Sequence, residues 1–150
     1  GTNVRVGGRI TVLDGEGLFV GDHVWIGRGC FLFCKGGLHI GDNTQISRNV
    51  TIYTANHRMD GDAVPYSDEY AASPVTIGRS VWIGMNVCIV PGVTIGDGAV
   101  IGMGTVVSKD VPRGAIVVGP AQRVVKMRDL DRFDQLNDRQ AWFGKLWPDR

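Results

Sequence analysis

Six side chains in this sequence are suited to nucleophilic, acid–base or metal chemistry: His23, His39 and His57, and Cys30, Cys34 and Cys88. A neutral imidazole takes up a proton near pH 7, which makes each histidine a candidate general base. The histidines are spaced 16 and 18 residues apart, a spacing that also raises a shared metal site. Three cysteines in 150 residues do not form a disulfide framework and point to a reducing compartment. Cys30 and Cys34 have no further Cys or His at ligand spacing and are expected to be buried or half-buried thiols. His57 differs from the other two histidines in lying among loop-type residues, in TANHRMDGDAVPY.

The elements that position these groups are repeats. From Val75 the chain divides into sixes: VTIGRS, VWIGMN, VCIVPG, VTIGDG, AVIGMG and TVVSKD. The same phase runs upstream through LFVGDH, VWIGRG, LHIGDN, TQISRN and VTIYTA, with the eight-residue units ITVLDGEG and CFLFCKGG among them. Each hexad reads as a short strand and a turn. Places one and three are apolar or small and point the same way, because side chains alternate along a strand. The recurrent glycines Gly78, Gly84, Gly96 and Gly102 suit corners that need positive φ or close backbone approach. Three units per turn predict an all-β solenoid, a triangular prism of about five parallel coils whose core is buried only by stacking. The unbroken six-residue phase argues against a β-sandwich. We expect coils over residues 1–111, a loop insertion at 56–74, and a tail over 112–150 in the same domain. Leu130, Phe133, Leu136 and Trp142 give that tail the spacing of a short helix.

These hexads, together with TANHRMDGDAVPY and the run SPVTIGRSVWIGMNVCIVPGVTIGDGAVIGMGTVVSKDVPRGAIVVG, resemble the hexapeptide-repeat acyltransferases over about residues 4–128. The nearest branch holds the maltose, galactoside and xenobiotic acetyltransferases, close to the sugar O-acetyltransferases of polysaccharide synthesis. The resemblance implies a left-handed parallel β-helix, a homotrimer, and acetyl-CoA as co-substrate. It implies that His57 is the general base of a direct transfer. It further implies that Lys109, Arg123 and Lys126 hold CoA, with Ser108 as a neighbouring hydroxyl contact. Met85 and Met103 match positions whose backbone meets the pantetheine arm, and Gly84 and Gly102 before them, lacking side chains, are expected to let that ligand lie close to the coil edge. The segment GPAQR, Gly119 to Arg123, carries its proline one place earlier than the family pattern, which puts the adenine-side contacts in doubt. Trp82 matches a tryptophan near the catalytic end.

Other readings stay open beside this one. Carbonic anhydrases share the fold and bind zinc through three histidines, two of them five apart; this chain has no such pair. A non-catalytic β-helix and an antibiotic or amino-sugar N-acetyltransferase are further alternatives. For the acceptor, Gly27 and Lys35 stand where the galactoside and maltose enzymes place a sugar-binding Asn and Asp. The N-terminal helical segment of those enzymes has no counterpart here, which also points away from a simple galactoside or maltose enzyme. The insertion supplies Asn56, Arg58, Asp60, Asp62, Tyr66, Asp68, Glu69 and Tyr70, polar and aromatic residues that suit a carbohydrate, which offers hydroxyls at its edge and C–H faces to rings; Asn56 and Tyr66 are the expected contacts. A sugar or polysaccharide hydroxyl is the expected acceptor.

Composition excludes some partners. A net charge of +1 does not fit a general nucleic-acid surface or a polybasic membrane patch. No apolar run reaches the roughly 18 residues of a membrane helix, and no secretory signal pattern opens the chain. A cytoplasmic setting is expected, as are native residues ahead of Gly1, which falls inside a repeat.

Overall fold

A computed structural model of the protein describes residues 1–119 together with Asp131, Arg132, Gln135 and Arg139. Two compact units are present: a body of Gly1–Ala55 with Ala72–Pro120, and a second unit of Asn56–Ala71 with Ala121–Arg150.

The body is the expected parallel solenoid. Its first face stacks Arg5–Val6, Trp25–Ile26, Gln45–Ile46, Trp82–Ile83, Val100–Ile101 and Ile116–Val117. The second face stacks Thr11–Leu13, Phe31–Phe33, Thr51–Tyr53, Cys88–Ile89 and Val106–Val107. The third stacks Leu18–Val20, Leu38–Ile40, Val75–Ile77 and Thr94–Ile95, and Val111 bridges to Ile95. The coils thus continue past residue 111, with Ile116–Val117 as a sixth rung on the first face. That rung is out of the earlier hexad phase because the unit Ser108 to Val111 is two residues short: Val107 pairs with Ile89, 18 residues back, whereas Val111 bridges to Ile95 and Val117 pairs with Ile101, each 16 back.

Hexad places one and three form the core. From Val75 to Val107 every residue at these places is buried, from Val75 and Ile77 through Thr105 and Val107. Upstream, Val24, Ile26, Leu32, Leu38, Ile46 and Ile52 join the same cluster. Two buried threonines bond within the body: Thr44 Oγ1 donates to the Gly78 carbonyl at 2.8 Å and Thr54 Oγ1 to that of Phe33 at 2.7 Å. Thr105 differs, since its Oγ1 is buried without a hydrogen-bond partner. Val stands at the equivalent place in the hexads of Val75, Val81, Val87 and Val93. Thr105→Val is therefore expected to stabilise the fold by about 1 kcal/mol, read as a higher Cm in urea at unchanged m. A lower Cm would show that the hydroxyl is satisfied.

The two uses expected of the glycines fall at different places. Left-handed backbone occurs at place six, at Ser80 (φ 55°), Asn86 (58°), Gly98 (68°) and Gly104 (72°). Place four is instead a position of close approach. A Cβ on Gly84 would lie 2.6 Å from the Met103 amide nitrogen in the next coil. The space that glycine leaves at Gly84 and Gly102 is filled by the coil stacked on it, so these two positions do not open the room for a ligand expected from the sequence.

Of the expected C-terminal helix, Asp131, Arg132 and Gln135 are helical; Leu130, Phe133, Leu136 and Trp142 lie outside the described residues.

Candidate active site

The segment Asn56–Ala71 folds around His57. The strand Ala55–His57 pairs with Tyr70–Ala72, so the insertion begins and ends as a two-stranded ladder. Beyond it the Arg58 amide donates to the Glu69 carbonyl at 2.9 Å, and the Ser67 amide donates to the Arg58 carbonyl at 2.9 Å. These bonds fold the segment back on itself and bring the buried Ser67 beside the imidazole. His57 Nδ1 lies 2.8 Å from the Ser67 carbonyl oxygen. A carbonyl only accepts, so Nδ1 carries the proton and the basic lone pair of the neutral ring is on Nε2.

Two aromatic rings fix the plane of the imidazole. Tyr66 stacks on it at 4.2 Å between centroids with a 19° interplanar angle, and Tyr70 lies at 4.1 Å with a 35° tilt. Arg58 is held by Asp60 at 3.2 Å and approaches Glu69 at 3.8 Å. Arg132 reaches the Gly61 carbonyl at 3.1 Å. Asn56 is exposed between Ala55 and His57. The result is a half-buried imidazole of defined tautomer, able to take a proton at Nε2. Tyr66 and Tyr70 are both among the insertion residues named from the sequence as suited to a carbohydrate; the Ser67 carbonyl is not.

In the coil body, Met85 and Met103 stand one above the other at one corner, where the Gly104 amide donates to the Met85 carbonyl at 2.9 Å. Met103 is well exposed, and Gly84 and Gly102 precede the two methionines beneath the following coils. Ser108 and Lys109 are exposed at the next corner, after Val106–Val107. Trp82 points outward, 58% exposed, and shares a column with Trp25 through Gln45. Arg123 and Lys126 lie outside the described residues.

The remaining histidines are not brought together. His23 sits at a corner with left-handed backbone (φ 58°), its Nδ1 2.8 Å from Asn3 Nδ2. His39 lies mid-strand on the third face, stacked on Phe19 at 4.7 Å. Among the described residues no group of three or more His, Cys, Asp or Glu is placed to hold a metal ion. Cys30 is buried and its thiol donates to the Ser47 carbonyl at 3.3 Å, with burial pushing its pKa up. Burial also pushes the Cys34 thiol up, to about 11, so both are protonated packing groups at neutral pH. Cys88 is exposed on the second face. No helix among the described residues is long and apolar enough to cross a membrane.

Comparison with known proteins bears on what this arrangement does. The bacterial transferase hexapeptide (six repeats) family matches residues 74–109, and the hexapeptide repeat of succinyl-transferase matches residues 17–54. The structure of a hexapeptide-repeat-containing acetyltransferase from Vibrio cholerae superposes with a TM-score of 0.74 at 31% identity, covering 85% of this chain and 73% of that one. The chain belongs to the hexapeptide-repeat acetyltransferases. Its solenoid is the left-handed β-helix of that family. The Vibrio cholerae protein has also been solved in complex with acetyl-CoA, where the superposition gives a TM-score of 0.69 at 32% identity over 78% of this chain and 63% of that one. A maltose O-acetyltransferase from Clostridium difficile 630, another family structure, matches with a TM-score of 0.73 at 39% identity, over 82% of this chain and 65% of that one. In sequence, nodulation protein L of Rhizobium meliloti is 43% identical over 110 residues, 73% of this chain and 60% of that protein. The chain spans about half the length of the curated relatives it matches, 60% in that case and 49% for the galactoside O-acetyltransferase of Escherichia coli.

Proposed function

We propose that the protein transfers the acetyl group of acetyl-CoA directly to a hydroxyl of a sugar or polysaccharide intermediate, with His57 as general base. The observation that carries this reading is the 2.8 Å contact from Nδ1 to the Ser67 carbonyl, which leaves Nε2 as the base. In the reaction Nε2 takes the hydroxyl proton as the acceptor oxygen attacks the thioester carbonyl. The tetrahedral intermediate collapses, the carbon–sulfur bond breaks, and the imidazolium returns the proton to the departing CoA sulfur. No acyl-enzyme forms. Acetyl-CoA bound to the Vibrio cholerae relative and the maltose O-acetyltransferase among the neighbours support the donor and the acceptor class.

The donor is proposed to lie along the edge formed by Gly84–Met85 and Gly102–Met103, its phosphates taken by Ser108 and Lys109 and, further on, by Arg123 and Lys126. Asn56, Tyr66 and Trp82 are the proposed acceptor contacts. The outward tryptophans Trp25 and Trp82 support association through the first face, and a C3 trimer with shared sites is the proposed assembly. The buried, protonated thiols go with a cytoplasmic setting.

Calorimetry tests the donor site before any acceptor is known. Acetyl-CoA is expected to bind the wild type at micromolar concentration, and Lys109→Ala is expected to weaken binding about tenfold, the worth of one charge-assisted hydrogen bond. A folded protein that binds no acetyl-CoA would overturn the proposal.

A further inference from the structure

One corner of the coil body carries charge that the fold does not balance. Arg28 and Arg48 occupy the fifth place of hexads in successive coils. The Asn49 amide donates to the Arg28 carbonyl at 3.0 Å, and the Asn86 amide to the Arg48 carbonyl at 3.2 Å. Arg9 lies at the same corner one coil earlier, where its carbonyl accepts from the Gly29 amide at 2.8 Å. All three arginines are exposed. Stacked parallel strands are about 4.8 Å apart, so three guanidinium groups share one short edge. Like charges set directly opposite in a ladder are unfavourable. Among the described residues none of the three has a carboxylate partner.

The corner between the third and first faces shows how this fold treats charge that serves its own stability. There Asp22, Asp42 and Asp97 each accept an amide from the preceding coil, those of Thr2, Asp22 and Arg79. Arg79 is also paired with Asp97, Nη2 to Oδ2 at 2.9 Å. The arginine corner makes no such bonds, so its charge is available to a ligand. Farther along the same edge the fifth place is taken by Met85 and Met103, and the cationic part is confined to the early coils.

We propose that the Arg9, Arg28 and Arg48 edge binds closely spaced anionic groups, carboxylates or phosphates, and that the acceptor is an anionic carbohydrate. Planar guanidinium groups suit both anions, because each presents paired N–H donors. Calling the bound molecule the acceptor rests on the acetyl-transfer reading; anion binding by the edge does not.

The test compares an oligogalacturonate, a sugar nucleotide, a neutral maltooligosaccharide and acetyl-CoA by calorimetry on wild type and on Arg28→Gln/Arg48→Gln. One of the two anionic ligands is expected to bind the wild type, and which one separates carboxylate from diphosphate recognition. The double variant should bind it at least about tenfold more weakly, with acetyl-CoA affinity unchanged as the control for fold. Equal binding of neutral and anionic sugars, or no loss in the double variant, would overturn the inference. So would acetyl-CoA affinity that falls with the same substitutions, which would assign the edge to the donor's own phosphates. Acetyl-CoA binding with no anion binding sinks this inference alone, whereas failure to bind acetyl-CoA at all sinks the acetyl-transfer reading.

Discussion

His57→Ala is expected to bind acetyl-CoA as the wild type does and to turn over about 10²–10⁴-fold more slowly, the usual worth of a positioned general base. The measurement is kcat with a responsive acceptor beside the calorimetric Kd for the donor. Ser67→Ala provides the contrast. The imidazole is oriented by the Ser67 backbone carbonyl, while the hydroxyl makes only a 3.4 Å contact with the Arg58 carbonyl. That variant should stay within a few-fold of wild type, because loss of one weak neutral hydrogen bond costs about 1 kcal/mol or less. A His57→Ala enzyme that keeps its rate would remove the base role, and a Ser67→Ala enzyme as slow as His57→Ala would show that the hydroxyl acts in place of the carbonyl.

Ile83→Ala is expected to give the largest loss of stability. Ile83 is completely buried, stacked between Ile46 and Ile101 at the centre of the first face. Removing its branched side chain leaves a cavity in a core of stacked aliphatics, a change that costs about 2–5 kcal/mol. In a chain of this size that lowers Tm by roughly 10 °C, measurable by circular dichroism. The adjacent Trp82→Ala removes a larger side chain, but one directed at solvent. Its expected effect is on association, seen by light scattering as loss of the proposed trimer, with the secondary structure intact. Comparable melting of both variants would contradict the inward and outward alternation of the strands.

The solenoid was legible because its energetics are periodic. Each inward place must fill a narrow interior, so the same small or β-branched types recur from Val75 to Val107. The Ile116–Val117 rung escaped that reading because the short unit from Ser108 to Val111 breaks the phase while the ladder itself continues. The glycines were legible as corner residues, but the hexad could not say which place needs left-handed backbone. Ser80 and Asn86 adopt it without being glycine, whereas Gly84 is required by the closeness of the next coil. His57 stands out in the sequence by its loop-type segment, but the carbonyl that orients it does not, because a residue of any type at position 67 presents the same backbone carbonyl. The pairing of Tyr66 and Tyr70 with one imidazole depends on the fold of the insertion, which has no repeat to announce it.

That insertion also bears on how the chain reaches its folded state. Neighbouring coils pair residues 16 to 20 apart, as in Val100 with Ile116, Trp82 with Val100 and Arg5 with Trp25, but Gln45 and Trp82 are 37 apart because the His57 segment lies between them. Loop-closure entropy grows only with the logarithm of length, so this doubling raises the cost of closing that coil by about 0.6 kcal/mol. Assembly can therefore proceed as short-range zippering on either side of the His57 segment, with one slower closure joining the two stacks. A corner of the prism is accordingly a place where sequence can be added or exchanged at little cost to the scaffold. The His57 segment can diverge there without any change in the residues that hold the coils together.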